Sequence, residues 1–231
     1  MRVLPVLALI VTGSVVRQPA RAEWPFAVGE SLHYDAKIGF LPAGSADLHV
    51  ARTESVRGKR AVVFTLEAAG GPPGLQSSWA LTSWVETAQF ASLRFRRHAN
   101  LAGSVTDESW LILPDSARYR LEGSGQNWVA PAQPMDELAM LYYVRTLPLT
   151  VGYTRALRGY FRNGFNPVTV SVTGREAVTV GSGASVNCLR VRVSAAGQSS
   201  DIWFTDDAKR IPARAVVPLK WGRATLVWDG R

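Results

Sequence analysis

The sequence predicts an all-β fold: a strongly curved antiparallel sheet forming a closed or nearly closed barrel or spiral, with one short helix at about residues 136–146 packed on it. Three features carry that expectation. Short runs alternate apolar and polar side chains, as Leu32, Tyr34, Ala36, Ile38 and Phe40 do against His33, Asp35 and Lys37, a spacing that turns one face of a strand to a core. Turn signals rich in Gly, Pro and Asn recur between these runs. A single stretch, Asp136 to Arg145, changes to a helical period.

The first 22 residues read as a leader, not as part of the fold. Arg2 gives a basic start, Val3 to Val16 a short apolar run, and Ala20-Arg21-Ala22 the small-x-small pattern of a signal-peptidase site. The run is short for a membrane span, so a cut after Ala22 is expected, leaving 23–231 as one β-barrel-like domain in the periplasm. No Cys lies near the cut for lipid attachment. No later run approaches the roughly 18 apolar residues of a spanning helix, so no transmembrane segment is expected in the mature chain.

In order, the first strand covers 30–40, Leu41-Pro-Ala-Gly44 is a turn, and Ala46–Arg52 is a second strand with Ala46, Leu48 and Val50 facing one way. After Arg57-Gly-Lys59 the alternation resumes at Val62, Phe64, Leu66 and Ala68, giving a meander. Gly70-Gly-Pro-Pro-Gly74 breaks it. The stretch 74–87, with Trp79, Leu81 and Trp84, suits a twisted strand or a helical turn equally. Leu93–His98 is a strand with Leu93 and Phe95 on one face and Arg94, Arg96 and His98 on the other. Ser104–Leu113 and Arg118–Glu122 follow, and 123–134 reads as a polar loop.

The helix is well punctuated. Asp136 suits the N-cap, Glu137 the first turn and Arg145 the negative end of the dipole. Met135 and Met140 have the spacing of a hydrophobic staple. Leu138, Leu141, Tyr142 and Arg145 share a face, and Pro148 blocks continuation. Beyond it, Tyr153–Phe161 and Val168–Thr173 are expected to pair through a hairpin at Asn163-Gly164. Arg175–Val180, Val186–Val193, Asp201–Thr205, Ala213–Val217 and Arg223–Trp228 complete the strands.

Composition narrows the function classes. Apolar residues make up 47% of the 231 and charged ones 19%, which excludes a disordered chain. The formal charge of +8, less leader residues Arg2, Arg17 and Arg21, leaves a mature chain of +5, compatible with lipid head groups or anionic envelope glycans. An exported chain without a nucleic-acid motif is not expected to bind nucleic acid. Cys188 is the sole cysteine, so no internal disulfide forms, and it reads as a small strand residue rather than a nucleophile. No Gly-x-Ser-x-Gly elbow, clustered metal ligands or phosphate loop is found, and no cofactor is expected. An outer-membrane barrel is disfavoured by arginines on the non-core strand faces.

Several segments resemble one family when taken together. They are Trp24-Pro-Phe-Ala-Val-Gly-Glu-Ser-Leu-His-Tyr34, Gly39-Phe-Leu-Pro-Ala-Gly44, Leu141 to Gly152, Gly174-Arg-Glu176, Asn187-Cys-Leu189, and Trp203-Phe-Thr-Asp-Asp-Ala-Lys-Arg-Ile-Pro212. In order, over essentially the whole mature chain, they look like the exported bacterial domain-of-unknown-function family numbered 3108. The resemblance implies a periplasmic antiparallel β fold and carries over no catalytic residue.

The functional expectation is a non-enzymatic periplasmic binding or scaffold protein for cell-envelope maintenance. Its ligand would be lipid-like or an anionic glycan. Trp79, Trp84, Trp110, Trp203 and Trp221 are candidates to line an apolar interior, and Arg94, Arg96, Arg190 and Arg192 to form basic stripes. The alternatives are an envelope-polymer hydrolase using the paired carboxylates Asp206 and Asp207, and a structural subunit of an envelope complex.

Overall fold

The computed structural model describes residues 24–71, 76–101, 103–219 and 222–231; the expected leader and its expected cleavage site lie outside the described residues, as does Trp221. The chain forms one 14-stranded sheet in which every neighbouring pair is antiparallel. The first arm is a meander of β1 (Ser31–Ile38), β2 (Leu41–Val56), β3 (Lys59–Gly70), β4 (Ser77–Glu86), β5 (Ala91–Leu101), β6 (Ser104–Leu113), β7 (Arg118–Leu121) and β8 (Trp128–Val129). Helix α1 (Glu137–Arg145) follows. The second arm is β9 (Thr154–Leu157), β10 (Val168–Thr179), β11 (Ser185–Ala195), β12 (Gln198–Thr205), β13 (Pro212–Leu219) and β14 (Gly222–Trp228). β14 pairs with β1 and joins the arms, leaving β8 and β9 as the two edges.

The segments flanking α1 bridge those edges. Met135 donates its N–H to the Gly159 carbonyl, Phe161 donates to the Met135 carbonyl, and the Asn163 side chain donates to Val129 beside β8. Phe161, fully buried, then packs with Phe95, Trp110, Ile112 and Tyr119 in an aromatic plug behind the seam. Its ring lies 5.2 Å from Tyr119 and 5.7 Å from Trp110, both edge-on. Phe161→Leu is expected to lower unfolding free energy by about 1–2 kcal/mol, because the ring contacts go while most of the volume stays; urea denaturation checks it.

The helix sits against β3 and β4. Leu138, Ala139, Met140, Tyr142, Val144 and Arg145 are all buried, a wider apolar surface than the one expected face, because β-strands and the N-terminal segment enclose it from several sides. Its rings reach into the curve of the sheet: Tyr142 stacks on Phe64 at 3.9 Å and meets Phe26 at 4.8 Å.

Several boundaries differ from the sequence expectation for identifiable reasons. The first turn is Gly39-Phe40, not 41–44, because β2 continues upward beside β3. Gly44 and Gly70 are register partners there, and a Cβ on either would come within 2.0 Å of the opposing Ala69 oxygen or 1.9 Å of the Ala43 oxygen, an approach only glycine permits. Residues 77–86 are strand, and the polar loop contains β8. The two runs at 168–180 are one strand, bulged between Val172 and Gly174. No two-residue hairpin forms at Asn163-Gly164: residues 163–165 make a short 3₁₀ turn before a cis Asn166–Pro167 bond. β9 stops at Leu157 so that 158–161 can reach the seam, and the Asn166 side chain holds the loop by bonding both backbone groups of Tyr160.

Candidate ligand cleft and its buried ion pair

Where the chain enters β1, the β12–β13 turn and the residues after β14 surround a cleft of about 650 Å³. Trp24, Phe26, Leu32, Ile211 and Trp228 give it an apolar lining, with Glu30, Lys209 and Arg231 at polar positions. The local sequence builds it. Trp24-Pro-Phe enters with a bend at Pro25, with Trp24 5.3 Å from Phe26 and 5.2 Å edge-on from Phe90. Asp207 shapes the opposite wall, its Oδ1 accepting from Thr205 Oγ1 at 2.8 Å, Lys209 N at 2.9 Å and Arg210 N at 3.0 Å.

Arg145, at the end of α1, ties these walls together. Its guanidinium donates to both Glu30 oxygens at 2.5 and 2.8 Å, and to the Lys209 carbonyl at 2.9 Å. It also lies over the rings of Phe26 and Tyr142, 5.1 and 5.2 Å from their centroids. The arginine is 1% exposed, so this is a desolvated, two-pronged pair rather than a surface contact. Arg145 Nε and the hydroxyls of Tyr34 and Tyr142 are buried without a hydrogen-bond partner among the described residues. Burial pushes both phenols well above their ordinary value, so they remain protonated donors. Glu30 is neutralised by Arg145 and Arg231 Nε lies 3.4 Å from Asp229 Oδ2; Lys209 makes no side-chain ion pair among the described residues.

The residues singled out from sequence do not gather at one place. Trp84 and Trp203 were expected inside, but both lie on the sheet face opposite the helix. Val62 and Phe64 of β3 join the main core, whereas Ala61 and Val63 form a separate cluster with Trp84. Trp203 belongs to a third cluster with Val178, Cys188 and Ala213. Each of these indoles is covered by arginine instead of lining a space: Arg94 lies 5.3 Å from the Trp84 ring, and Arg214 and Arg190 lie 4.5 and 5.2 Å from Trp203. Their N–H groups donate to Glu54 and Glu176. Trp110 fills the seam plug, and Trp79 stands 37% exposed toward the far end of β4.

The arginine stripes are cross-strand ion pairs rather than bare positive charge. Arg190 and Arg192 both bond Asp201, at 2.7 and 3.0 Å, Arg94 meets Glu122 at 3.1 Å and Arg96 lies 4.0 Å from Asp107. Asp206 is taken up by Arg175 at 2.6 Å, and Asp207 by the turn. His33 bonds Asp47 across β1–β2 at 2.7 Å. Among the described residues no group of three or more His, Cys, Asp or Glu is placed to hold a metal ion. Cys188 is buried, and burial pushes its thiol up to about 11, leaving little thiolate for nucleophilic chemistry.

The cleft residues Trp24 and Trp228 and the Glu30–Arg145 pair were not singled out as a site. A charged residue on the helix's apolar face was the available signal, but it names neither partner.

A nearly closed antiparallel sheet wrapped around one helix defines a barrel-like β protein. The family model described as "Protein of unknown function (DUF3108)" matches residues 33–228, and the chain belongs to that family. No curated protein matches the chain. Among solved structures it is similar to a beta-barrel-like protein of domain of unknown function DUF1849 from Brucella abortus. The TM-score is 0.52 at 9% identity, with 86% of this chain and 94% of that one covered; at that identity the likeness is one of fold.

Proposed function

We propose that the chain is an exported, non-enzymatic binding protein of the periplasm, serving cell-envelope maintenance by holding a lipid-like molecule in the cleft between Trp24 and Trp228. The observation that supports this reading most is the combination of an apolar lining with an unpaired cation: Trp24, Phe26, Leu32, Ile211 and Trp228 suit an acyl chain, and Lys209 suits an anionic head group. Pockets for small ligands are commonly apolar with a few placed polar groups. The paired arginines of the sheet faces give an anionic glycan less to bind. A scaffold role or a place in an envelope complex has no comparable feature supporting it.

Native mass spectrometry of the purified chain with palmitate or with uncharged hexadecanol tests the proposal. A one-to-one palmitate adduct is expected. Lys209→Glu should weaken it by about tenfold, the effect of replacing an attractive charge with a repulsive one, while leaving hexadecanol binding nearly unchanged. Trp24→Ala should weaken both. Palmitate binding indifferent to both substitutions would overturn the assignment of the cleft.

A further inference from the structure

At the opposite edge of the sheet from the cleft, exposed apolar side chains crown a row of neighbouring hairpins. Alternate strand ends of an antiparallel meander fall on the same edge, and the β14–β1 pairing sets the described ends of β13 and β14, β1 and β2, β3 and β4, and β5 and β6 side by side. The register levels them. Leu101 pairs with Ser77, Ser77 with Gly70 and Gly70 with Gly44, while Ala224 pairs with both Ile38 and Val217. Eight strands at about 4.8 Å spacing make this edge roughly 35 Å long.

Phe40 is 89% exposed, Leu41 59% and Val105 60%, and Leu101 and Val217 are also exposed. Phe40 follows Gly39, whose left-handed φ of +62° makes the tight turn between β1 and β2. None of the described residues of these tips is acidic, whereas Lys37 and Arg223 flank them and make no ion pair among the described residues. Arg60, Arg118, Arg120, Arg155 and Arg214 of the strands likewise make no ion pair among the described residues, so it is the conjunction of Lys37 and Arg223 with exposed apolar side chains that marks this edge.

We propose that this edge docks on an anionic lipid surface, with Phe40, Leu41, Leu101 and Val217 entering the interfacial layer and Lys37 and Arg223 meeting head-group phosphates. Apolar side chains on separate, protruding tips flanked by cations suit a deformable bilayer interface. A protein partner of stable affinity needs a continuous, complementary patch. The proposal does not depend on the cleft, which lies at the other end of the strands, though the two together would let the chain meet a membrane at one end and hold a lipid-like molecule at the other.

Cosedimentation of the purified chain with vesicles of phosphatidylcholine, alone or mixed with phosphatidylglycerol, tests it. Binding is expected to the mixed vesicles and to fall with added salt. Phe40→Ser with Leu41→Ser should lower the partition coefficient at least about tenfold, with an unchanged urea midpoint because both side chains are exposed. Lys37→Glu with Arg223→Glu should erase the preference for phosphatidylglycerol. The cleft variant Lys209→Glu should bind vesicles as the parent does; loss in that variant would move the lipid contact to the cleft and overturn the proposal. So would parental binding by the double serine variant, failure of the parent to bind any vesicle, or a concentration-dependent dimer abolished by the serine substitutions, which would assign the edge to a second copy of the chain.

Discussion

Arg145→Met is expected to cost about 3–5 kcal/mol of folding stability, the range found when one member of a buried ion pair is removed. The substitution fills much of the same space but leaves Glu30 without its partner in a site where its side chain is only 16% exposed. It also removes a donor from the Lys209 carbonyl and a cation from the rings of Phe26 and Tyr142. The pair itself contributes far less net stability than its removal would suggest, since desolvation offsets much of the attraction. The double variant Arg145→Met, Glu30→Gln should therefore recover at least about 1 kcal/mol, because it removes the stranded charge. Equilibrium urea unfolding of the parent, the two single variants and the double variant measures that coupling. Simple addition of the single costs would mean that the two side chains act independently, against the geometry. Because Arg145 also fixes the Lys209 turn and the Trp24–Glu30 segment, the arginine variant should lose palmitate binding even where it remains folded.

What could be read from the sequence is what depends on neighbours in the chain. The alternation of Leu32 and Tyr34 against His33 marks β1 without knowledge of its partners, and Asp136, Glu137 and Arg145 punctuate α1 within its own length. The face taken by each tryptophan could not be read in this way. A bulge opposite the Trp84–Val85 step breaks the alternation of β5, so Leu93 packs with Trp84 on one face while Phe95 joins the seam plug on the other. The same parity rule that placed Leu93 and Phe95 together fails at a residue whose extra position is set by tertiary pairing. Asn163-Gly164 fails for a related reason: its local preference for a tight hairpin loses to the burial of Phe161 in the seam. The cleft is still less local. Glu30 and Arg145 are 115 residues apart, and the Lys209 carbonyl comes from a third segment; periodicity can indicate that Arg145 faces inward but cannot identify what it meets.

Asp136 should make the protein less stable as pH rises from about 4 to 7, the reverse of the usual carboxylate behaviour. The side chain is fully buried, with Oδ1 accepting from Leu138 N and Ala139 N at 3.0 Å and Oδ2 accepting from Ser83 and Ser92 hydroxyls at 2.6 and 2.7 Å. Burial pushes its carboxyl from 3.8 up to about 7, against the opposing pull of the bonds from Ser83, Ala139 and Ser92. Between those values the folded chain keeps a proton that the unfolded chain releases. Folding is thus favoured below about pH 4, and that contribution declines as pH rises through 7, by up to about 4 kcal/mol if no other group intervenes. Asp136→Asn retains an oxygen for the two backbone donors and offers its amide to the serine hydroxyls, which can rotate to accept, so it should flatten this part of the profile at a small cost. Asp136→Ala instead removes the helix cap and the acceptor of two buried hydroxyls, for a loss of about 3 kcal/mol. Urea midpoints of the parent and both variants across pH 4 to 8 separate the effects: the pH-linked difference belongs to the ionisable side chain, and the alanine loss should persist at every pH. A parent profile that rises between pH 4 and 7, with the same slope in the asparagine variant, would mean that the Asp136 carboxylate is charged throughout and that the four donors outweigh its burial.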